Sequence, residues 1–151
     1  MGLSGRWRRV EEFAAGAGVP IAQPPLLPSS RLALEGAELA RREGRLDAYR
    51  ERVFRAYFIE GADIGDRNVL CDIAAETGLD RSRFEQEVIG RRFRDELDRH
   101  REDAEDLLVT GVPAFFLHGV AVVGARSPGE YHAAFSRILA RRAAKRDAPP
   151  A

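Results

Sequence analysis

The chain alternates between apolar positions at helical spacing and short breaks of glycine or proline. Trp7, Val10, Phe13 and Ala14 recur at three- to four-residue intervals and predict a short amphipathic helix, which Gly16 and Gly18 can end. Residues 19–30, VPIAQPPLLPSS, carry four prolines and read as an irregular connector. Over residues 31–43, Leu32, Ala33, Ala37 and Ala40 can share one helix face, and Gly44 stops the pattern. Residues 46–59 resume it with a broad aromatic face of Tyr49, Phe54, Tyr57 and Phe58 beside Val53, until Gly61. Asp66 is placed to cap a helix that buries Val69, Leu70, Ile73 and Ala74 and runs to about Thr77. A further helix from Asp80 or Ser82 carries Phe84, Val88, Phe93 and Leu97. A charged, solvent-facing stretch follows to Asp106, with a break near His100. Its like-signed Asp98 and Glu102 argue against a salt-bridge ladder.

The texture changes after Pro113. AFFLHG and VAVVG are short and apolar, and a tight turn at His118 and Gly119 makes them a hairpin. A closing helix follows, with Ser127 as N-cap, Pro128 at its first position and Glu130 completing a capping box. Tyr131, Ala134, Phe135, Ile138 and Leu139 form its apolar stripe. A hairpin by itself is marginal in water, and an apolar strand in a sheet interior needs neighbours. The only other strand-like residues, 19–22, are few.

Composition narrows the function classes. With 151 residues the chain suits one compact domain, or one with an elaboration. Lys plus Arg and Asp plus Glu each number 24, so the formal net charge of zero gives no general argument for nucleic acid or an anionic membrane. The basic runs RWRR (6–9) and RRAAKR (141–146) read as solvated helix ends. No apolar run approaches the length of a membrane span, and no secretion signal opens the chain. The single cysteine, Cys71, cannot form an intrachain disulfide and lies in an amphipathic helix, as a buried structural thiol would. A reducing compartment, the cytoplasm, is expected.

His100, His118 and His132 do not have metal-ligand spacing, so no metal is expected, and no cofactor. Glu11–Glu12 and Glu102–Asp103 belong to charge-rich helices without a cleft signature. Gly61, Asp63 and Gly65 lack the strand–turn–helix setting of a phosphate loop. Pro113 has no N–H to offer a ladder, so residue chemistry alone leaves two readings: a trans proline that starts a strand, or a cis proline that shapes a site.

Several motifs together resemble a known family. GVPAFFLHGVAVVGARSPGEYHAAFSRIL looks like the C-terminal half of a thioredoxin-fold domain of the DsbA-like branch, which includes FrnE-type oxidoreductases and 2-hydroxychromene-2-carboxylate isomerases. FRAYFIEGADIGDRNVLCDIAAETGLD (54–80) and LLPSSRLALEGAELARREG (26–44) are similar to the helical insertion of FrnE-type proteins. The resemblance implies an α/β, truncated thioredoxin-like (DsbA-type) fold with a large helical insertion and a C-terminal β-hairpin plus helix. It divides the chain into an N-terminal helix and connector (1–25), a helical insertion (26–108), the C-terminal part of a thioredoxin-like domain (109–146) and a disordered tail (147–151).

In the family the proline matching Pro113 is cis, and the preceding residue, here Val112, offers its backbone to substrate. The resemblance therefore implies a substrate-binding loop of Thr110, Gly111, Val112 and Pro113, with Tyr57 and Phe58 lining a cleft. Family oxidoreductases place a Cys-x-x-Cys at the start of their first long helix, where the helix N-terminus lowers the first thiol's pKa. The isomerases place a serine there, used with glutathione. Neither signature is present in this sequence, so no catalytic residue is expected. The implied function is that of a DsbA-family thiol–disulfide oxidoreductase homologue, inactive by itself. The alternatives are a glutathione-dependent isomerase relative and a non-enzymatic peptide-binding or assembly module. An extended peptide or small thiol is the implied substrate, and an uncovered sheet edge implies self-association or a complementing chain.

Overall fold

A computed structural model describes residues 3–146, with side chains from 7 to 143; the expected tail at 147–151 lies outside the described residues. The helices are α1 (Leu3–Gly16), α2 (Arg31–Arg42), α3 (Leu46–Phe58), α4 (Arg67–Glu76), α5 (Arg81–Phe84), α6 (Arg94–Asp106) and α7 (Pro128–Arg146). Strands β1 (Ala114–Leu117) and β2 (Val120–Val123) precede α7. The chain divides into two compact units, the first ending at Asp98 and the second starting at Arg99.

The core of the first unit lies among α2, α3, α4 and α5. Leu39, Tyr49, Leu70, Ile73, Phe84, Val88 and Phe93 are fully buried there. Burying each such side chain stabilises the fold by about 1.5–3 kcal/mol before the entropy of ordering is subtracted. Gly44, Gly61 and Gly78 end their helical segments with positive φ, the left-handed turn that glycine adopts without steric cost. Asp66 starts α4 as its cap: one carboxylate oxygen accepts from the backbone N–H of Asn68 at 2.7 Å and of Val69 at 3.1 Å. Asp80 caps α5 through the N–H of Arg83 at 2.6 Å.

Several expectations need correction. The inner face of α2 includes Leu39, Glu35 and Glu38 besides Ala33 and Ala40. Its two carboxylates are buried because arginines meet them: Arg41 holds Glu38 at 2.6 Å, and Arg91 and Arg31 approach Glu35 at 3.1 and 3.5 Å. Phe54, assigned to the aromatic face of α3, is 55% exposed. In α1, Val10 and Phe13 of the expected apolar stripe are exposed.

The helix expected from residue 80 through Leu97 is broken. After α5 the chain makes one π turn over Glu85–Ile89, and Arg91 adopts φ 66°. Gly90 permits this turn, since a Cβ there would stand 2.2 Å from the Gln86 carbonyl oxygen. The turn keeps Val88 and Phe93 buried on either side of the break. By contrast α6 is unbroken at His100. Its charges also form i,i+4 bridges, Arg94–Asp98 at 3.9 Å and Arg101–Glu105 at 3.6 Å, so the like-signed Asp98–Glu102 pair did not describe the surface.

In the second unit, β1 and β2 pair antiparallel with Ala114 opposite Val123 and Leu117 opposite Val120. His118 and Gly119 form the turn with φ of 52° and 79°, the twist that two-residue hairpins need. The capping box forms as the sequence predicts. The Ser127 N–H donates to Glu130 Oε2 at 2.8 Å, and the Glu130 N–H donates to Ser127 Oγ at 3.3 Å. These bonds, the one to the Ser127 backbone foremost, hold the Glu130 carboxyl below its ordinary pKa. The expected stripe of α7 is only half-buried, and Leu139 is 49% exposed. Among the described residues one hairpin is the whole sheet, and both Phe115 and Phe116 remain partly exposed.

Candidate functional site

Residues 110–113 lie at the entry to β1. The Val112–Pro113 peptide is cis. The Pro113 carbonyl accepts from the Gly124 N–H at 2.8 Å, which extends the hairpin ladder by one step beyond Ala114 and Val123. Tyr131, from the first turn of α7, donates its hydroxyl to the Gly124 carbonyl at 2.9 Å. Pro113 is thereby tied through Gly124 to the closing helix. Beneath the hairpin, the ring of Phe115 meets those of Tyr131 and Phe135 edge-on, with centroids 5.2 and 5.9 Å away. The Cα of Gly111 approaches Val123, whose Cγ1 a Cβ would touch at 4.0 Å.

Against this framework Val112 projects outward, 86% exposed. Thr110, Gly111 and Pro113 are also exposed. Among the described residues, Thr110, Gly111 and Val112 make no backbone hydrogen bond. The bend at residues 111–113 therefore presents, among the described residues, N–H and C=O groups without backbone partners beside a large apolar side chain.

Tyr57 and Phe58 belong to the first unit, where they line a groove of about 350 Å³ with Leu34, Val53, Phe54 and Ile64. Its lining atoms are apolar. Tyr57 packs edge-on against Phe58 with centroids 4.7 Å apart, and Phe58 also stacks against Phe54 and Trp7. The Phe58 carbonyl accepts from the Ala22 N–H at 2.8 Å, which fastens the proline-rich connector to the end of α3.

Cys71 is buried and free, on the inner side of α4. Burial pushes its thiol pKa up, and the nearby Arg81 guanidinium only partly opposes this. Such a thiol is the reverse of an activated nucleophile, which is exposed and held as thiolate. Sequence reasoning missed Glu35, whose carboxylate is fully buried between Arg31 and Arg91. Only the apolar residues around it, Ala33, Ala37 and Leu39, hinted that position 35 could face inward. Among the described residues no group of three or more His, Cys, Asp or Glu side chains is arranged to hold a metal ion, and no helix is long and apolar enough to cross a membrane.

Comparison with known proteins agrees with this geometry. The chain is 31% identical over 130 residues to a Bacillus subtilis (strain 168) protein described as uncharacterized protein YwbO; the match spans 84% of this chain and 65% of that protein. The chain thus spans just under two thirds of that relative's length. Its structure is similar to that of a 2-hydroxychromene-2-carboxylate isomerase, with a TM-score of 0.76 and 25% identity, covering 97% of this chain and 71% of the other. The model of the DSBA-like thioredoxin domain matches residues 5–136. With a helical unit, a hairpin entered through Val112–Pro113 and a closing helix, the chain has a thioredoxin-like α/β fold and belongs to the DSBA-like thioredoxin domain family.

Proposed function

We propose that this chain is a thiol–disulfide oxidoreductase homologue that supplies the substrate-binding side of the reaction and does not itself exchange disulfides. The observation that carries this reading is the exposed, unpaired backbone of residues 110–112 ahead of Pro113. An extended peptide, or the backbone of a small thiol compound, pairs there with Val112. Within the first unit, the apolar groove at Tyr57 and Phe58 is by itself suited to an apolar side chain. Cys71 takes no part, since its buried thiol resists ionisation and has no partner cysteine in the sequence. The reducing cytoplasm is the compartment this reading implies. The two-stranded sheet, whose outer edges are unpaired among the described residues, favours pairing with a second copy or with a complementing chain.

The test is insulin reduction by dithiothreitol in the presence of the purified chain. The expected result is precipitation at the uncatalysed rate. Turnover well above that rate, abolished by Cys71→Ser, would overturn the proposal. Sedimentation at high micromolar concentration checks the pairing, which a sharply monomeric species contradicts.

A second reading, a glutathione-dependent isomerase relative, is favoured by the structural likeness to a 2-hydroxychromene-2-carboxylate isomerase. Saturable binding of glutathione by this chain, measured calorimetrically, would favour it over the first.

A further inference from the structure

The basic run near the C-terminus does more than end a helix. Ile138, Arg141 and Arg142 stand three and four residues apart, so they share one face of α7. That face meets the hairpin turn, and together with His118 and Val120 it lines a groove of about 460 Å³. The groove has two apolar walls, Val120 and Ile138, and a cationic rim.

The rim differs from the paired arginines of the first unit. There, many arginines are met by carboxylates, as in Arg31–Asp98 at 2.7 Å, Arg42–Glu96 at 2.5 Å and Arg52–Glu76 at 2.5 Å. Among the described residues, neither Arg141 nor Arg142 has a carboxylate partner. The one carboxylate of the described part of α7, Glu130, sits at the opposite end of the helix and is engaged by Ser127. Instead, Arg142 donates to Nδ1 of His118. The contact sets an imidazole beside the guanidinium and brings no negative charge. His118 reaches this position from the left-handed turn, at φ 52°, a conformation that most side chains avoid.

Two guanidinium groups and an imidazole, with no carboxylate beside them among the described residues, over an apolar floor suit an anionic head on an apolar body. Arginine is suited to the head because its planar fork donates two parallel bonds to a carboxylate or phosphate. Val120 and Ile138 exclude water around the body. We propose that the groove between the hairpin turn and α7 binds a small amphiphilic anion, a carboxylate or phosphate ester with a short aliphatic chain.

The experiment titrates the full chain with octanoate, octyl phosphate, inorganic phosphate and octan-1-ol, following the His118 ring resonances by NMR. Octanoate or octyl phosphate should shift them saturably, at an affinity at least about tenfold above inorganic phosphate and above octan-1-ol, since head and body each contribute. The comparison of octanoate with octyl phosphate identifies the head. The double substitution Arg141→Gln, Arg142→Gln should weaken binding by about tenfold or more. Arg126→Gln, outside the groove, should leave it unchanged. The proposal falls if neither amphiphile shifts His118 saturably, if the double variant binds as tightly as the parent, or if bare phosphate binds as tightly as its octyl ester.

Discussion

Gly36 on α2 lies directly against Tyr49 on α3: a Cβ at position 36 would stand 2.1 Å from the phenolic oxygen and 2.9 Å from the ring of Phe84. The absence of a side chain lets the two helices close and buries Tyr49 completely, its hydroxyl 3.4 Å from the Ala33 carbonyl. Neither ring has space to retreat, because both are fully buried in the core. Gly36→Ala should therefore destabilise the protein by about 2–3 kcal/mol, even though alanine favours helix. Urea unfolding would show this as a lower midpoint with an unchanged slope. A stabilised variant would contradict the packing.

The pair Glu35 and Arg91 makes a different prediction. The carboxylate is fully buried while the guanidinium is a third exposed, so losing one is not equivalent to losing the other. Arg91→Ala leaves a buried charge with only Arg31, at 3.5 Å, and should cost about 3 kcal/mol. Glu35→Met removes the charge, fills the space and frees both arginines to reach water, so its effect should stay within about 1 kcal/mol. Equal losses in the two variants, measured in the same denaturant series, would refute this asymmetry.

Alkaline pH should weaken the fold in two stages. Burial raises the pKa of the Cys71 thiol, and raises that of the Tyr49 hydroxyl, which also faces Cys71. Both groups are therefore held protonated in the folded chain after their unfolded counterparts have begun to ionise. A group with a raised folded pKa stabilises fully below its unfolded pKa, and that stability is lost as pH rises toward the folded value. The decline should begin near about pH 8.5 with the thiol and steepen above about pH 10 with the phenol. In Cys71→Ala the first stage should vanish and the second remain. A denaturation midpoint that is flat from neutral pH to above 10 would exclude both.

In the second unit, Phe135 stacks with Tyr131 at 5.9 Å and meets Phe115 edge-on at the same distance. The cluster joins α7 to the hairpin and supports the framework behind Pro113. Since these rings are only partly buried, Phe135→Ala should cost less than a core phenylalanine, about 1–2 kcal/mol. It should also increase hydrogen exchange at the Gly124 N–H, which donates to Pro113. Unchanged exchange there would separate the cluster from the loop.

Much of the helical order was legible because its signals are local. Asp66 and Ser127 announce caps, Gly44, Gly61 and Gly78 announce stops, and the His118–Gly119 pair announces a turn, each through the backbone of its own few residues. The motif around Pro113 was legible in the same way, and with it the family.

Several misreadings turn on packing that local signals do not carry. Glu35 gave no local sign of burial; it is buried because Arg91, fifty-six positions on, comes to meet it. The helix from residue 80 looked continuous; Gly90 breaks it so that Val88 and Phe93 can both reach the core. The run RRAAKR looked like an ordinary basic helix end; the hairpin turn brings His118 to Arg142 and makes a groove of that face. The sequence by itself determined where elements start and stop and which family the chain joins, because caps, turns and motifs act over a few residues. Only the tertiary structure decided which charges are buried, which are paired and which stand free, because a side chain's electrostatic surroundings come from whatever the fold packs beside it.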